Sequence, residues 1–420
     1  MGLRRYWTLE PAELYQLTSD ADYLDAFIGI YTEAVRCRLR CHGRPASMLS
    51  GGLDSSTVVA LARDLLVAQG KPPLRTYSGM AGPGEDCAET RCIEAILAQG
   101  QLEPSCVRPS DTDDHVAALS AAMAAMEDPF DGSWTLLALM FLRAAQDDGR
   151  VLLSGVDGDY AVGAPTNYLT YLLRQGLWRA TWQEARGFSR HYYRDYYSPT
   201  KLYLRAFCSR LAPPTLRGLK RKLTDLSQYR HLLRAHHIQP GFARRLGLMA
   251  RVQGADCSMT PDPANGLQNW QLQTLQSANL TVGIERYERI ASYFGIETRH
   301  PLLDIRLLQF SCAVPMQQKV RDGWSKYLLR GLAAQRLPQS VAWREGWEGL
   351  GWLFTNREAQ QFANHSGLPM QALAHLLQPY LALGGLGCYQ QALTRGGDDE
   401  QLRRMWEHYR FYQWQLGLSR

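Results

Sequence analysis

The apolar positions of the chain fall into two regimes. Up to about residue 165, short continuous apolar runs alternate with stretches of helical period; beyond it the helical period dominates. The segment DADYLDAFIGIYTEAVRCRLR places Leu24, Phe27, Ile28, Tyr31, Ala34 and Val35 at helical spacing. ASMLS, residues 46–50, reads as a short buried strand. SSTVVALARDLLVAQG then predicts a helix with Val58, Val59, Leu61, Ala62, Leu65 and Leu66 on its apolar face, stopped by Gly70 and the two prolines behind it. PLRTYSGM reads as a second strand, ETRCIEAILAQG as a helix ending at Gly100, and SCVRP as a third strand. SWTLLALMFLRAAQDDG reads as another helix and RVLLSG as a fourth strand. Such alternation predicts an α/β fold: a doubly wound parallel sheet with its ligand at the strand C-terminal ends. A large, mostly helical C-terminal half follows. The expected division is a linker and helix over 1–44, an α/β core over 45–165, a basic helical insertion over 166–280, and a helical part over 281–420 that completes the site.

Length and composition narrow the class. The 420 residues exceed one ordinary core and suggest about two domains or one large one. With 45% hydrophobic and 20% charged residues the chain is globular rather than disordered. A net charge of +6 is mild at this size and gives no argument for nucleic acid. No apolar stretch reaches the roughly 18 residues of a membrane span. The start MGLRRYWTLEPAEL has no signal-peptide core, and Tyr6 breaks the myristoylation pattern. The nine cysteines are scattered; the close pairs Cys37/Cys41 and Cys87/Cys92 lack zinc-ribbon spacing, so reduced thiols of a cytoplasmic protein are expected. Lys201 to Lys222 carries seven basic residues and no acidic one. It reads as a solvated surface, with an anionic ligand or partner as the other possibility. The aromatics of RRMWEHYRFYQWQLG are expected in the core.

The candidate chemistry starts at MLSGGLDSS, where a buried strand meets a helix. Gly51 and Gly52 let backbone approach a ligand closely. The helix that follows offers free N–H groups and a partial positive charge to an anion. Ser50, Ser55 and Ser56 add hydroxyls. Asp54 would repel a phosphate unless a Mg²⁺ sat between them. The same residues could also make a turn and helix cap with no ligand.

SGGLDSS resembles the pyrophosphate loop of the N-type ATP pyrophosphatases. Four further stretches match, in order, the synthetase domain of class B asparagine synthetases and their relatives, the β-lactam synthetases and lasso peptide macrolactam cyclases. They are SGVDGDY (154–160), ETRHPLLD (297–304), KYLLR (326–330) and LPQSVAWR (337–344). The resemblance implies an ATP-dependent reaction at the α-phosphorus: AMP is transferred to a carboxylate, pyrophosphate leaves, and an amine attacks the acyl-adenylate to form an amide. It assigns Leu49, Ser50, Gly51, Gly52, Asp54, Ser55, Ser56, Met80, Gly155 and Lys326 to ATP, with Met80 near adenine through its backbone. Asp54 and Asp159 would share Mg²⁺, and Lys326 would set a point charge on the phosphates. Glu89 occupies a place where relatives keep an acid. Glu297, Arg299 and Asp304 would form a buried ion network that shapes the pocket.

The chain departs from its relatives at three places. Gly2 stands where asparagine synthetases carry a nucleophilic cysteine, and RYWTLEP reads like the linker after the glutamine-hydrolysing half. A separate subunit could supply that half, or the chain could be a fragment. Val156 stands where asparagine synthetases hold a glutamate, β-lactam synthetases a tyrosine and lasso cyclases usually an apolar residue. It cannot titrate; Asp157, in place of a family glycine, is the candidate for that role. Gly346 replaces a lysine that stabilises the adenylation transition state, and Arg344, Arg321 or a basic residue of 201–222 is the candidate substitute. The expected activity is an AMP-forming amide or lactam synthetase joining a carboxylate to an amine, with a peptide as one candidate substrate, within modified-peptide or natural-product biosynthesis alongside a partner protein. The alternatives are asparagine synthesis with free ammonia or a separate glutaminase subunit, and a catalytically silent binding subunit.

Overall fold

The computed structural model describes residues 15–126, 134–163, 167–259, 267–346 and 349–364, with 4, 8–10, 165, 375, 377–382, 406–412 and 414–415. Its centre is a parallel five-stranded sheet in the order β3-β2-β1-β4-β5. Helix α1 (Asp20–Arg38) precedes β1 (Ala46–Met48), α2 (Leu53–Ala68) and β2 (Leu74–Gly79). Then come α3 (Ala88–Leu97), β3 (Leu102–Val107), α4 (Asp111–Ala124), α5 (Trp134–Gln146), β4 (Val151–Leu153) and the short α6 (Gly158–Val162). Strand β5 (Glu297–Arg299) arrives only after a long helical stretch. From β1 the chain winds outward through β2 to β3, then restarts on the other side at β4. The switch in direction therefore lies between β1 and β4, where doubly wound sheets open a crevice.

The central strands β1 and β4 are short and fully buried because helices cover both faces of the sheet. On one face pack α1, α2, and the helices Ile305–Ala313 and Tyr327–Arg336, through Phe27, Tyr31, Val59, Phe310 and Leu329. On the other pack α4, α5 and the helices Ala278–Tyr293 and Gly351–Asn364, through Leu119, Phe141, Ile290 and Phe354. Successive residues of β1 serve opposite layers: Met48 joins the second core and Leu49 the first.

The sheet and helices expected from the pattern are present, with three differences. β3 begins at Leu102, earlier than SCVRP. α4 has no counterpart in the expectation; its alanine-rich face gives little apolar contrast, and Asp111, Asp113 and Asp114 in the first turn are its main signal. β5 is ETR, a polar edge strand with no apolar run, paired Val151 to Glu297 and Leu153 to Arg299. The ion network expected in ETRHPLLD is two separate clusters, and Glu297 is 61% exposed rather than buried. Arg299 pairs with Glu297 and donates to the carbonyls of Arg38 and Arg40. Asp304, buried, pairs instead with Arg38 at 2.7 Å and Arg306 at 2.9 Å. Side chains alternate along β5, with Glu297 exposed and Thr298 buried.

In the C-terminal aromatic stretch Trp406 and Tyr412 are buried, whereas Tyr409, Phe411 and Trp414 are half-buried, so fewer of these aromatics enter the core than expected. The basic stretch lies on the helices Pro199–Leu211 and Pro214–Ala235, where Lys220, Arg221 and Lys222 are exposed. Cys37, Cys41, Cys87, Cys92, Cys106, Cys208 and Cys312 are free thiols, and no described helix is long and apolar enough to cross a membrane.

Candidate active site

Two loops leave the C-terminal ends of neighbouring strands at the switch point. The first, Leu49 to Gly52, connects β1 to α2. Gly51 is left-handed at φ +72°, and a Cβ there would meet the Glu89 carbonyl at 2.5 Å, so both conformation and space demand glycine. Gly52 precedes α2 without a side-chain cap. The N-terminus of that helix is thus left for another acceptor. The serines hold the loop: the Ser50 N–H donates to Ser55 Oγ at 3.0 Å, and Ser50 Oγ and Ser55 Oγ lie 2.8 Å apart. Ser56 is fully buried and donates to the Gly52 carbonyl at 2.7 Å, so it braces the loop from inside.

The second loop, Ser154 to Asp157, connects β4 to α6. It lies directly on the first: a Cβ at Gly155 would stand 2.7 Å from the Ser55 Cα, and one at Gly158 would stand 2.6 Å from Asp54 Oδ2. Gly158 is therefore a site residue that the sequence reading missed, though the spacing of SGVDGDY carried the signal. Asp157 adopts φ +61°, and its buried Oδ2 has no hydrogen-bond partner among the described residues. Burial and the nearby carboxylates of Asp159 and Asp54 push its pKa up to about 6.

A third element reaches the same point from far along the chain. The helix Tyr327–Arg336 begins after Lys326, itself left-handed at φ +57°. The Lys326 ammonium donates to Asp54 Oδ1 at 2.8 Å and Oδ2 at 2.6 Å and lies 2.8 Å from Asp159 Oδ1. Burial alone would lower the lysine pKa, but the two carboxylates outweigh it and hold the ammonium charged, above the ordinary lysine value. Asp54, Asp159 and Lys326 are thus brought together at one point.

The other expected residues fall nearby in different ways. Arg344 Nη1 lies 3.4 Å from the Gly51 carbonyl and Nη2 lies 4.0 Å from Glu89 Oε1, so its charge sits behind the first loop. Glu89 also accepts from the Leu350 N–H at 3.1 Å. Gly346 is left-handed at φ +67°, a Cβ there would meet nothing within 4 Å, and its N–H donates to the His191 carbonyl. Arg321 pairs with Asp20 at 2.7 Å and stacks over Tyr327. Met80 is buried in the core and its N–H donates to the Val107 carbonyl.

A cavity of about 290 Å³ opens beside the two loops. Its polar side holds Ser50, Asp54, Ser55, Ser154 and Gly155; its apolar side is built by Leu136, Leu137 and Met140 of α5 with Leu350 and Val156. Gly79, the last residue of β2, lines it; Met80 does not. An apolar slot beside a loop and helix N-terminus is what a base and its phosphates require. For a cation, Asp54 and Asp159 supply hard oxygen donors around a single point, and Lys326 occupies that point as a positive charge. No cluster of three His, Cys, Asp or Glu side chains able to hold a metal occurs among the described residues. Two carboxylates are a donor set compatible with Mg²⁺, which commonly takes one or two carboxylates and its remaining ligands from phosphate and water.

Sequence similarity agrees with this geometry. Residues 30–377 match the family model described as asparagine synthase. The chain is also similar to the glutamine-hydrolyzing asparagine synthetase 3 of Bacillus subtilis (strain 168), 24% identical over 411 residues; the alignment covers 90% of this chain and 58% of the relative. With a family match over most of its length, the chain belongs to the asparagine synthase family, and it spans 58% of the length of the curated relative it matches.

Proposed function

We propose that the chain activates a carboxylate by transfer of AMP from Mg²⁺-bound ATP and then condenses it with an amine, as a step in making a modified peptide or another natural product. The observation that carries this reading is the meeting of Asp54, Asp159 and Lys326 at the switch point beside the cavity. In this reading the first loop and the N-terminus of α2 receive the β- and γ-phosphates, and the apolar wall takes the base. Asp54 and Asp159 would hold Mg²⁺, which neutralises charge that grows on the departing pyrophosphate. Lys326 would then leave its two carboxylates for the phosphates, a move for which a flexible stem and point charge suit it. Arg344, behind Gly51, supplies a positive field where Gly346 cannot. The apolar Val156 suits a substrate other than free ammonia. Pyrophosphate release and ATP–pyrophosphate exchange against carboxylate candidates test the proposal; absence of nucleotide binding with Mg²⁺ present would overturn it.

The likeness to an asparagine synthetase favours a second reading, conversion of aspartate to asparagine with ammonia. Mass spectrometry for asparagine from aspartate, ATP and ammonium decides between the two.

A further inference from the structure

Val156 leaves a chemical gap. When an amine attacks an acyl-adenylate its nitrogen must lose a proton, and the side chain at this place of the second loop cannot accept one. The neighbouring residue Ser154 can. Ser154 is one of the residues that line the cavity, and its Oγ lies 2.7 Å from His300 Nδ1. The other ring nitrogen, Nε2, lies 2.9 Å from Glu288 Oε1. The three residues come from three elements: the end of β4, the residue after β5, and the helix Ala278–Tyr293.

The hydrogen-bond partners fix the direction of the chain. A carboxylate only accepts, so the His300–Glu288 contact places the imidazole proton on Nε2. Thr298 also donates to Glu288, which uses that carboxylate further. With the ring proton on Nε2, Nδ1 is an acceptor and the Ser154 hydroxyl donates to it; Ser154 Oγ also accepts from the Val156 N–H at 3.3 Å and shares a hydrogen bond with Tyr287. Tyr287 closes the arrangement. Its ring meets the imidazole edge-on at 5.5 Å, its hydroxyl donates to Met48 Sδ, and it lines the same cavity. The charged groups around His300 are Glu288 on one side and Arg38 of α1 at longer range.

We propose that Ser154, His300 and Glu288 form a proton relay that serves the amine in the second half-reaction. The proposal rests on the amide-synthetase reading above. The amine nitrogen bonds to the acyl carbon and the bond from that carbon to the AMP oxygen breaks, AMP taking the electron pair. The amine proton passes to Ser154 Oγ as the serine proton passes to His300 Nδ1, and Glu288 holds the resulting imidazolium at Nε2. Ser154 is the group that touches substrate; His300 and Glu288 act through it.

The first test needs no substrate. The full chain is labelled with ¹⁵N-histidine, and His300 is assigned by comparison with His300→Gln. At pH 7 the relay requires a neutral ring protonated at Nε2, with Glu288→Gln altering the Nε2 shift. A doubly protonated ring, or a proton on Nδ1, overturns it. The second test uses L-aspartate, L-glutamate and short peptides containing them as carboxylates, with ammonium and methylamine as amines. For any carboxylate that supports exchange, His300→Gln lowers the amine-dependent step by about 10²–10⁴-fold, with exchange falling about tenfold or less. Equal losses in both steps mark a structural role and overturn the relay, as does no loss in either. If the wild-type chain exchanges with none of them, the amide-synthetase reading fails, and the ring's protonation decides the relay by itself.

Discussion

At the scale of single residues, the site is a problem of opposing charges solved by one lysine. Asp54 and Lys326 stand 272 positions apart in sequence, yet the ammonium bridges both carboxylates. Replacing Lys326 by Met leaves two carboxylates facing each other with no cation. We expect ATP–pyrophosphate exchange to fall by about 10²–10³-fold, and Lys326→Arg to restore little of it because the guanidinium is planar and rigid. The glycines divide by what surrounds them. Gly158→Ala drives a methyl into the Asp54 carboxylate, so it should weaken Mg²⁺-ATP binding in a calorimetric titration and lower the thermal midpoint. Gly218, in the helix Pro214–Ala235, has nothing within 4 Å, and Gly218→Ala should stabilise by about 0.5–1 kcal/mol in the same melt. Gly346→Lys would return the family's missing charge. It would also place a side chain at φ +67°, which costs about 1–2 kcal/mol. These residues were legible to different degrees. Asp54, Asp159 and Lys326 carried motif signals, whereas His300 and Tyr287 resemble ordinary core residues until their partners are known.

At the scale of elements, the strands that lead into the site were readable and the element that closes the sheet was not. β1 and β4 are apolar runs bounded by glycine-rich loops, so their pattern survives in the sequence. β5 is three polar residues on an edge, recruited from beyond a long helical stretch by pairing with β4. Its place is held less by apolar burial than by Asp304, which follows it. That carboxylate caps the helix Ile305–Ala313 through the Arg306 N–H and ties it to Arg38 at the end of α1. Burial alone would raise the Asp304 pKa, but the hydrogen bonds from Arg306 and Arg38 hold it well below the usual carboxylate range. A depressed folded-state pKa stabilises above the unfolded value near 3.9 and is lost as pH falls through the folded value. Asp304→Asn should therefore lower the thermal midpoint at pH 7, with the gap to wild type narrowing on acidification below about pH 4. At the other end of α1, Ser19 and Asp22 form a reciprocal capping box. Ser19→Ala should cost about 1 kcal/mol in chemical denaturation.

At the scale of the whole molecule, the fold explains why distant motifs act together. The order β3-β2-β1-β4-β5 sets the two glycine-rich loops side by side, and the helical half returns to lay Lys326 across them. Local sequence patterns gave the α/β half because helix and strand periods alternate there. The return of the helical half was foreshadowed by motif resemblance alone, since its helices have similar periods and no local mark of which face meets the sheet. The basic helices 199–235 stay on the surface with Leu216, Leu219 and Leu223 exposed, away from the sequence elements that build the site. The central claim is that two loops and one lysine make a nucleotide site with a pyrophosphate end. Its most direct test is a calorimetric titration of the full chain with ATP in the presence of Mg²⁺. Saturable binding at one site is expected, competed by free pyrophosphate and lost in Asp54→Ala; no binding, or binding that pyrophosphate and Asp54→Ala leave unchanged, would contradict a nucleotide site there.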